Sequence, residues 1–276
     1  MSDQQNRDAN YVLGTSEQEQ ARLKKQGDAI APITERLLRE AGIAPGMRVL
    51  DIGCGIGDVA LIAADLVGLG GEVVGIDREP NLLATARKRF EEMGKSNVSF
   101  VEGDFRDAEN RPGTFDAVVG RLVLMYQADP AEAIRQTVQS VRPGGIVAFL
   151  EYDSTVAPAS LTPLPLHLKM RGWIWGVLER SGAETQMGLR MYKTFTDAGL
   201  PEPTMFAEGI IQTGTQRYPS VPLVRVLLPR IVEYGLGTEE EVGIDTLEER
   251  LQAELNEAGT PYLGQIVYGA WSRIPS

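Results

Sequence analysis

Residues 49–58 read Val49-Leu50-Asp51-Ile52-Gly53-Cys54-Gly55-Ile56-Gly57-Asp58. A short apolar run ends near an acidic residue, three glycines follow at alternating positions, and a helical pattern begins at once. Glycines at such a junction let the chain turn sharply and let a ligand lie against main-chain N–H groups. The spacing is G-x-G-x-G, which differs from the G-x-G-x-x-G that seats a dinucleotide pyrophosphate on a helix start. It favours a nucleoside ligand without a pyrophosphate.

Outward from this loop, strands and helices alternate. Strands are expected at 47–52, 72–77, 98–102, 115–120 and 146–150, and helices at 57–67, 80–93 and about 130–141. Pro80 suits a first helical position, and Pro143-Gly144-Gly145 reads as a turn into the fifth strand. Short continuous apolar strands separated by helices form a parallel sheet covered on both faces, an α/β architecture. Upstream, residues 16–42 read as a helix capped by Thr15 or Ser16. After Tyr152 the rhythm changes. A proline-bearing loop at 153–165 leads to helices at 166–181 and 187–198, a strand at 203–212, a helical stretch at 219–259 and a terminal strand at 264–273.

Composition bounds the possibilities. The 276 residues are 43% apolar and 24% charged, as in an ordinary globular protein. No stretch approaches the roughly 18 apolar residues of a membrane span, and the opening MSDQQNRDAN is too polar for a signal peptide. The single cysteine, Cys54, makes no internal disulfide, so a cytoplasmic setting is expected. The net charge of −11 repels a phosphate backbone, and Arg87-Lys88-Arg89 reads as a solvated helix face. The expected partner is a small molecule, with no nucleic acid and no membrane; a homodimer stays open.

In an open parallel sheet the ligand lies beyond the carboxyl ends of the strands. Strand one delivers Asp51 and the glycine loop, and strand two ends at Asp77, whose carboxylate can accept both hydroxyls of a ribose. Strand three ends in Gly103-Asp104-Phe105, strand four in Gly120-Arg121, and strand five in Glu151-Tyr152-Asp153. VLDIGCGIGD, followed by VVGID at 73–77, VEGDF at 101–105, FDAVVG at 115–120 and RPGG at 142–145, resembles the class I S-adenosylmethionine-dependent methyltransferases over about residues 40–152. The resemblance implies S-adenosyl-L-methionine as cofactor and a Rossmann-like, doubly wound sheet of seven strands, the last antiparallel. It implies that Gly53, Cys54 and Gly55 lie against the methionine part, that Asp77 binds the ribose diol, and that Asp104 and Phe105 hold the adenine with Arg78 packed over it. Tyr11-Val12-Leu13-Gly14 and the 16–42 helix resemble the lid of the natural-product and quinone-type branch, which puts Tyr11 at the cofactor. Residues 1–42 are then tail and lid, and 43–276 a methyltransferase domain with helical insertions at about 155–185 and 214–262.

The implied chemistry is in-line methyl transfer to an O, N or C nucleophile of a small, largely apolar metabolite, which calls mainly for alignment in a dry pocket. A base is needed only where the nucleophile holds its proton. His167, the sole histidine, lies in the expected roof and is a candidate base or a helix-start histidine. Glu151 and Asp153 are candidates to face the substrate or to brace a loop by hydrogen bonds. Tyr126 either lines the transfer site or packs. Arg121 pairs with the cofactor carboxylate or with an acid on strand one or five, Asp51 shapes the glycine loop by hydrogen bonds, and Cys54 fits the turn. No cluster has zinc spacing, and no metal is expected. Three other readings stay open: a cyclase or decarboxylase that binds the same cofactor without methyl transfer, a nicotinamide-dependent oxidoreductase, and a non-catalytic binding subunit.

Overall fold

A computed structural model describes residues 17–275. The expected lid segment at 11–14 with Tyr11, and the caps Thr15 and Ser16, lie outside the described residues. The chain forms α1 (Glu17–Ala41), then β1 (Arg48–Ile52), α2 (Asp58–Val67), β2 (Glu72–Asp77), α3 (Pro80–Glu92) and β3 (Val98–Glu102). β4 (Phe115–Arg121), α4 (Pro130–Val138), β5 (Val141–Asp153), α5 (Pro165–Arg180), α6 (Met187–Asp197) and β6 (Thr204–Gln212) follow. The chain closes with α7 (Ser220–Glu233), α8 (Glu239–Val242), α9 (Leu247–Ala258) and β7 (Tyr262–Arg273). Side chains alternate between sheet faces, yet Val49, Leu50, Asp51 and Ile52 are buried one after another, as are Ala117, Val118 and Val119. Both faces of the central strands are therefore covered, as continuous apolar runs require.

The seven strands lie in the order β3-β2-β1-β4-β5-β7-β6. β1 to β5 pair in parallel, and β7 runs antiparallel to both β5 and β6. Chain order reverses between β1 and β4, which fixes the binding crevice at the carboxyl ends of these strands. α1 packs on α2, and α4 on α6, against the sheet. α5 packs on α7 and α9, while α7 also touches α1, so the helices after β5 and β6 meet the first helix above the crevice.

Two expectations change. β5 begins at Val141 and reaches Asp153, further in both directions than the expected 146–150. The Pro143-Gly144-Gly145 turn survives as a break in register, because Phe115 pairs with Val141 while Ala117 pairs with Ile146. The helical stretch at 219–259 is three helices. Thr238 and Glu241 form a reciprocal capping box that restarts the chain as α8, and Gly243, with φ +51°, ends it. Such a left-handed stop costs little at glycine.

Candidate active site

Beyond the strand ends lies a cleft of about 260 Å³. Its floor is the glycine loop, the ends of β2 and β3, and the loop after β4; α1, α5 and the segment entering α7 cover it. Asp77 organises the floor. Its Oδ2 accepts the Gly55 N–H at 2.8 Å and its Oδ1 accepts the Glu79 N–H at 3.0 Å. Burial pushes its carboxyl up, against the pull of these main-chain donors. Gly55 has φ +53°, and a Cβ built there meets no protein atom within 4 Å. A side chain would stand in the open cleft, so the bare backbone is what leaves room for a ligand.

Asp51 does not brace the loop as expected. Its side chain is buried, off the cleft wall, and neither carboxylate oxygen makes a hydrogen bond of ordinary geometry. Burial drives its carboxyl up to about 8, against the nearby Arg121 charge and the Ala60 amide. The bracing expected of Asp51 is done by Asp77. Gly53 and Cys54 line the cleft beside Gly55. Burial, and then the Asp51 and Asp77 charges, raise the Cys54 thiol well above its usual range, so it remains a protonated, space-filling residue.

At the β3 end, Phe105 and Arg78 line the cleft and Asp104 does not. Arg106 Nη2 lies 2.6 Å, and Arg78 Nη2 2.8 Å, from Asp104 Oδ2. Burial alone would raise that carboxyl, but Arg106 and Arg78 bring it below the ordinary range. The carboxylate expected to meet adenine is thus committed to two guanidinium groups, and what remains on the cleft side is the Phe105 ring and Arg78. Arg121 lines the cleft as well. It pairs with neither β1 nor β5: its guanidinium reaches Asp58 at 3.5 Å and donates to Thr34 Oγ1 at 3.1 Å. Asp58, at the start of α2, is also held by Arg89 at 2.9 Å.

Of the four catalytic candidates, only Tyr126 lines the cleft. It closes a single 3-10 turn, Leu124–Tyr126, and burial raises its hydroxyl far above the usual tyrosine range. Glu151 lies beneath that turn. Its Oε1 accepts the Val123 and Leu124 N–H groups at 3.0 and 2.7 Å, and burial pushes its carboxyl up to about 8. Asp153 accepts the Leu189 N–H at the start of α6 at 2.8 Å, and the Thr155 N–H at 2.8 Å. Both acids brace loops and are corrected from substrate-facing groups to structural ones. His167 is also corrected. It sits outside the cleft, 1% exposed, with Nδ1 2.6 Å from Glu254 Oε2 and its ring against Tyr262. Glu254 also accepts the Leu166 and His167 N–H groups, so the pair ties the start of α5 to α9.

Sequence reasoning passed over several cleft residues, among them two tyrosines. Tyr152, at the end of β5, and Tyr218, just before α7, line the cleft with their hydroxyl oxygens 2.5 Å apart. A signal for Tyr152 was present: once β5 continues to residue 153, alternation puts Glu151 and Asp153 on one face and Tyr152 on the other. Tyr218 sits in a loop of the second insertion and carries no local signal. The roof is apolar, with Ile174, Trp175 and Leu178 from α5 and Leu223 from α7. Among the described residues, no cluster of His, Cys, Asp or Glu could hold a metal ion, and no helix is long and apolar enough to cross a membrane.

Comparison with known proteins bears on this geometry. A family model described as a methyltransferase domain matches residues 43–198. The chain is 30% identical over 175 residues to a demethylmenaquinone methyltransferase of Staphylococcus aureus, covering 63% of this chain and 71% of the relative. It is similar in fold to an S-adenosylmethionine-dependent methyltransferase of Aquifex aeolicus, with a TM-score of 0.52 and 14% identity over 87% of this chain and 89% of the other. It is also similar in fold to a phosphoethanolamine N-methyltransferase of Haemonchus contortus solved with S-adenosylhomocysteine. That match has a TM-score of 0.56 and 19% identity, over 89% of this chain and 53% of the other.

Proposed function

We propose, from the premise that this chain belongs to the methyltransferase-domain family and uses S-adenosylmethionine, that it methylates a small, largely apolar molecule by in-line displacement. The observation that carries this reading is the cleft itself. A glycine loop, a strand-end carboxylate and an aromatic ring lie in order along β1, β2 and β3, under an apolar roof. The residues present fit the cofactor. Asp77, already holding Gly55 and Glu79 by their N–H groups, has lone pairs left for a ribose diol. The open space at Gly55 admits the methionine part of the cofactor against the backbone. Phe105 offers the adenine a ring, and Arg78 covers it from the rim.

When bound, the cofactor supplies a methyl group made electrophilic by its sulfonium charge. The chain's own contribution is alignment and dryness. Holding nucleophile and methyl carbon in line in a preformed pocket accounts for several kcal/mol of barrier lowering, on the order of 7 kcal/mol in well-aligned cases. Trp175, Leu178 and Leu223 exclude water from that line, which strengthens each polar contact inside. The name of the Staphylococcus aureus relative, a demethylmenaquinone enzyme, supports an acceptor with a ring system that such a roof can cover. Exposing the protein to methyl-labelled S-adenosylmethionine and a panel of naphthols and hydroquinones tests the reading. Labelled product and S-adenosylhomocysteine should appear in equal amounts. A product formed with no methyl loss would overturn it in favour of a cyclase or decarboxylase.

A further inference from the structure

The Tyr152 and Tyr218 phenols lie in the cleft beside a glutamine that is held by a buried ion pair. Glu19 and Arg22 of α1 form an ion pair at 2.6 Å, with both side chains almost free of solvent. Arg22 Nη1 donates to Gln26 Oε1 at 2.8 Å. Gln26 lines the cleft beside both phenols and pulls their hydroxyls down against burial. The two phenols hold two protons between them. One makes the 2.5 Å contact between their oxygens; the other is available to a ligand in the cleft. Burial, and for Tyr152 its neighbour Tyr218, raises both hydroxyls above their usual range, against the pull of Arg121. The pair thus remains protonated, beside a positive charge, with one donor to spare.

Position decides what takes that donor. Sheet order runs β3-β2-β1-β4-β5-β7-β6, and neighbouring strands lie about 4.8 Å apart. β5, which carries Tyr152 next to its last residue, is two strands beyond β1 and its glycine loop, about 10 Å along the sheet. The cofactor occupies β3 to β1 in the reading above, so the phenol pair faces the space left for the acceptor. Among the described residues, the carboxylates lining the cleft are Asp58, Asp77 and Glu79. Asp58 is held by Arg89 and Arg121, and the other two lie at the end of β2. The acceptor end therefore carries no carboxylate; besides the phenols and apolar surface it presents the side-chain amides of Gln127 and Gln265.

We propose that the Tyr152–Tyr218 pair is the recognition site for an anionic oxygen on the methyl acceptor, so that the enzyme binds a phenol or enol as its conjugate base. This rests on the methyltransferase reading. The acceptor's proton leaves to solvent on binding, and the spare phenol hydrogen bond and the Arg121 charge favour the oxyanion that remains. Specificity then depends on the hydroxyl, since a site built to hydrogen-bond an oxygen rejects analogues that lack it.

The test uses 4-nitrophenol and nitrobenzene, which differ by that hydroxyl, titrated into the full chain saturated with S-adenosylhomocysteine. The wild type should bind 4-nitrophenol at least about tenfold tighter than nitrobenzene, as the coloured phenolate, because a hydrogen bond to a charged group is worth about 1.5–3 kcal/mol. Tyr218→Phe and Tyr152→Phe keep the rings and should remove most of that preference, with S-adenosylhomocysteine affinity within about twofold of wild type. Equal binding of the two probes, no binding of either, or a preference that survives in both variants would overturn the proposal. So would a loss of S-adenosylhomocysteine affinity as large as the loss for 4-nitrophenol, which would assign the pair to the cofactor. Failure of the methyltransferase reading would look different: wild-type protein would not bind S-adenosylhomocysteine, or would bind it and the phenolate while releasing no methyl-labelled product from any phenol or hydroquinone.

Discussion

Asp77→Ala should weaken S-adenosylhomocysteine binding by more than about 100-fold, as read by calorimetric titration. Two losses combine. A ribose diol gives up two hydrogen bonds to a charged acceptor, each worth about 1.5–3 kcal/mol. The Gly55 N–H, now held at 2.8 Å, loses the partner that fixes the glycine loop. Asp77→Asn should recover little. Each Asp77 oxygen now receives a main-chain N–H, and the amide NH₂ would set a donor against one of them. The fold should survive both changes, because burial already opposes the charged carboxyl. A folded Asp77→Ala protein that binds within about tenfold of wild type would remove Asp77 from the cofactor site.

Glu151 should show the second large effect, on stability. Glu151→Ala leaves the Val123 and Leu124 amides buried without an acceptor, at about 1–3 kcal/mol each. The chemical-denaturation free energy should fall by about 3 kcal/mol. The loop after β4, which carries Leu122, Val123 and Tyr126 into the cleft, should loosen with it. Glu151→Gln behaves differently because it keeps an acceptor oxygen. The native carboxyl is pushed up to about 8 from an ordinary 4.5. Between those values the folded state holds a proton that the unfolded chain has released, so this group's contribution to stability is full below about pH 4.5 and is lost as pH rises toward 8. Glutamine does not titrate. Relative to wild type, the Gln variant should therefore gain stability from about pH 5 to about pH 8, by at least about 1 kcal/mol. A difference that stays constant across that range would mean that Glu151 is ionised in the fold.

The parallel part of the sheet was legible because its strands are short apolar runs punctuated by glycine and proline, and local chemistry sets those boundaries. The position of Asp77 was legible for the same reason: it is the acid that closes an apolar strand, and it lines the cleft at the end of β2. The catalytic edge was harder. Glu151 and Asp153 drew attention as charged groups after a strand, but the strand does not stop where its apolar run stops. Pairing with β7, from Ile146 opposite Arg273 to Asp153 opposite Ile266, extends it. Alternation then turns the acids away from the cleft and turns Tyr152 toward it. His167 misled for a different reason. Its partner Glu254 lies 87 residues further along the chain, on a helix that sequence periodicity merged with its neighbours. The loop entering α7, with Tyr218, has a position set wholly by tertiary packing.

The proposed function divides the cleft in two: cofactor along β3, β2 and β1, acceptor beneath the α5–α7 roof beside Tyr152 and Tyr218. A crystal structure with S-adenosylhomocysteine tests it most directly. The ribose hydroxyls should lie within hydrogen-bond distance of Asp77, the amino-acid chain should run along Gly53–Gly55, and the sulfur should face the space bounded by Tyr126, Tyr152 and Tyr218. A ligand whose ribose sits away from Asp77, or whose amino-acid end fills the space beside the tyrosine pair, would contradict it.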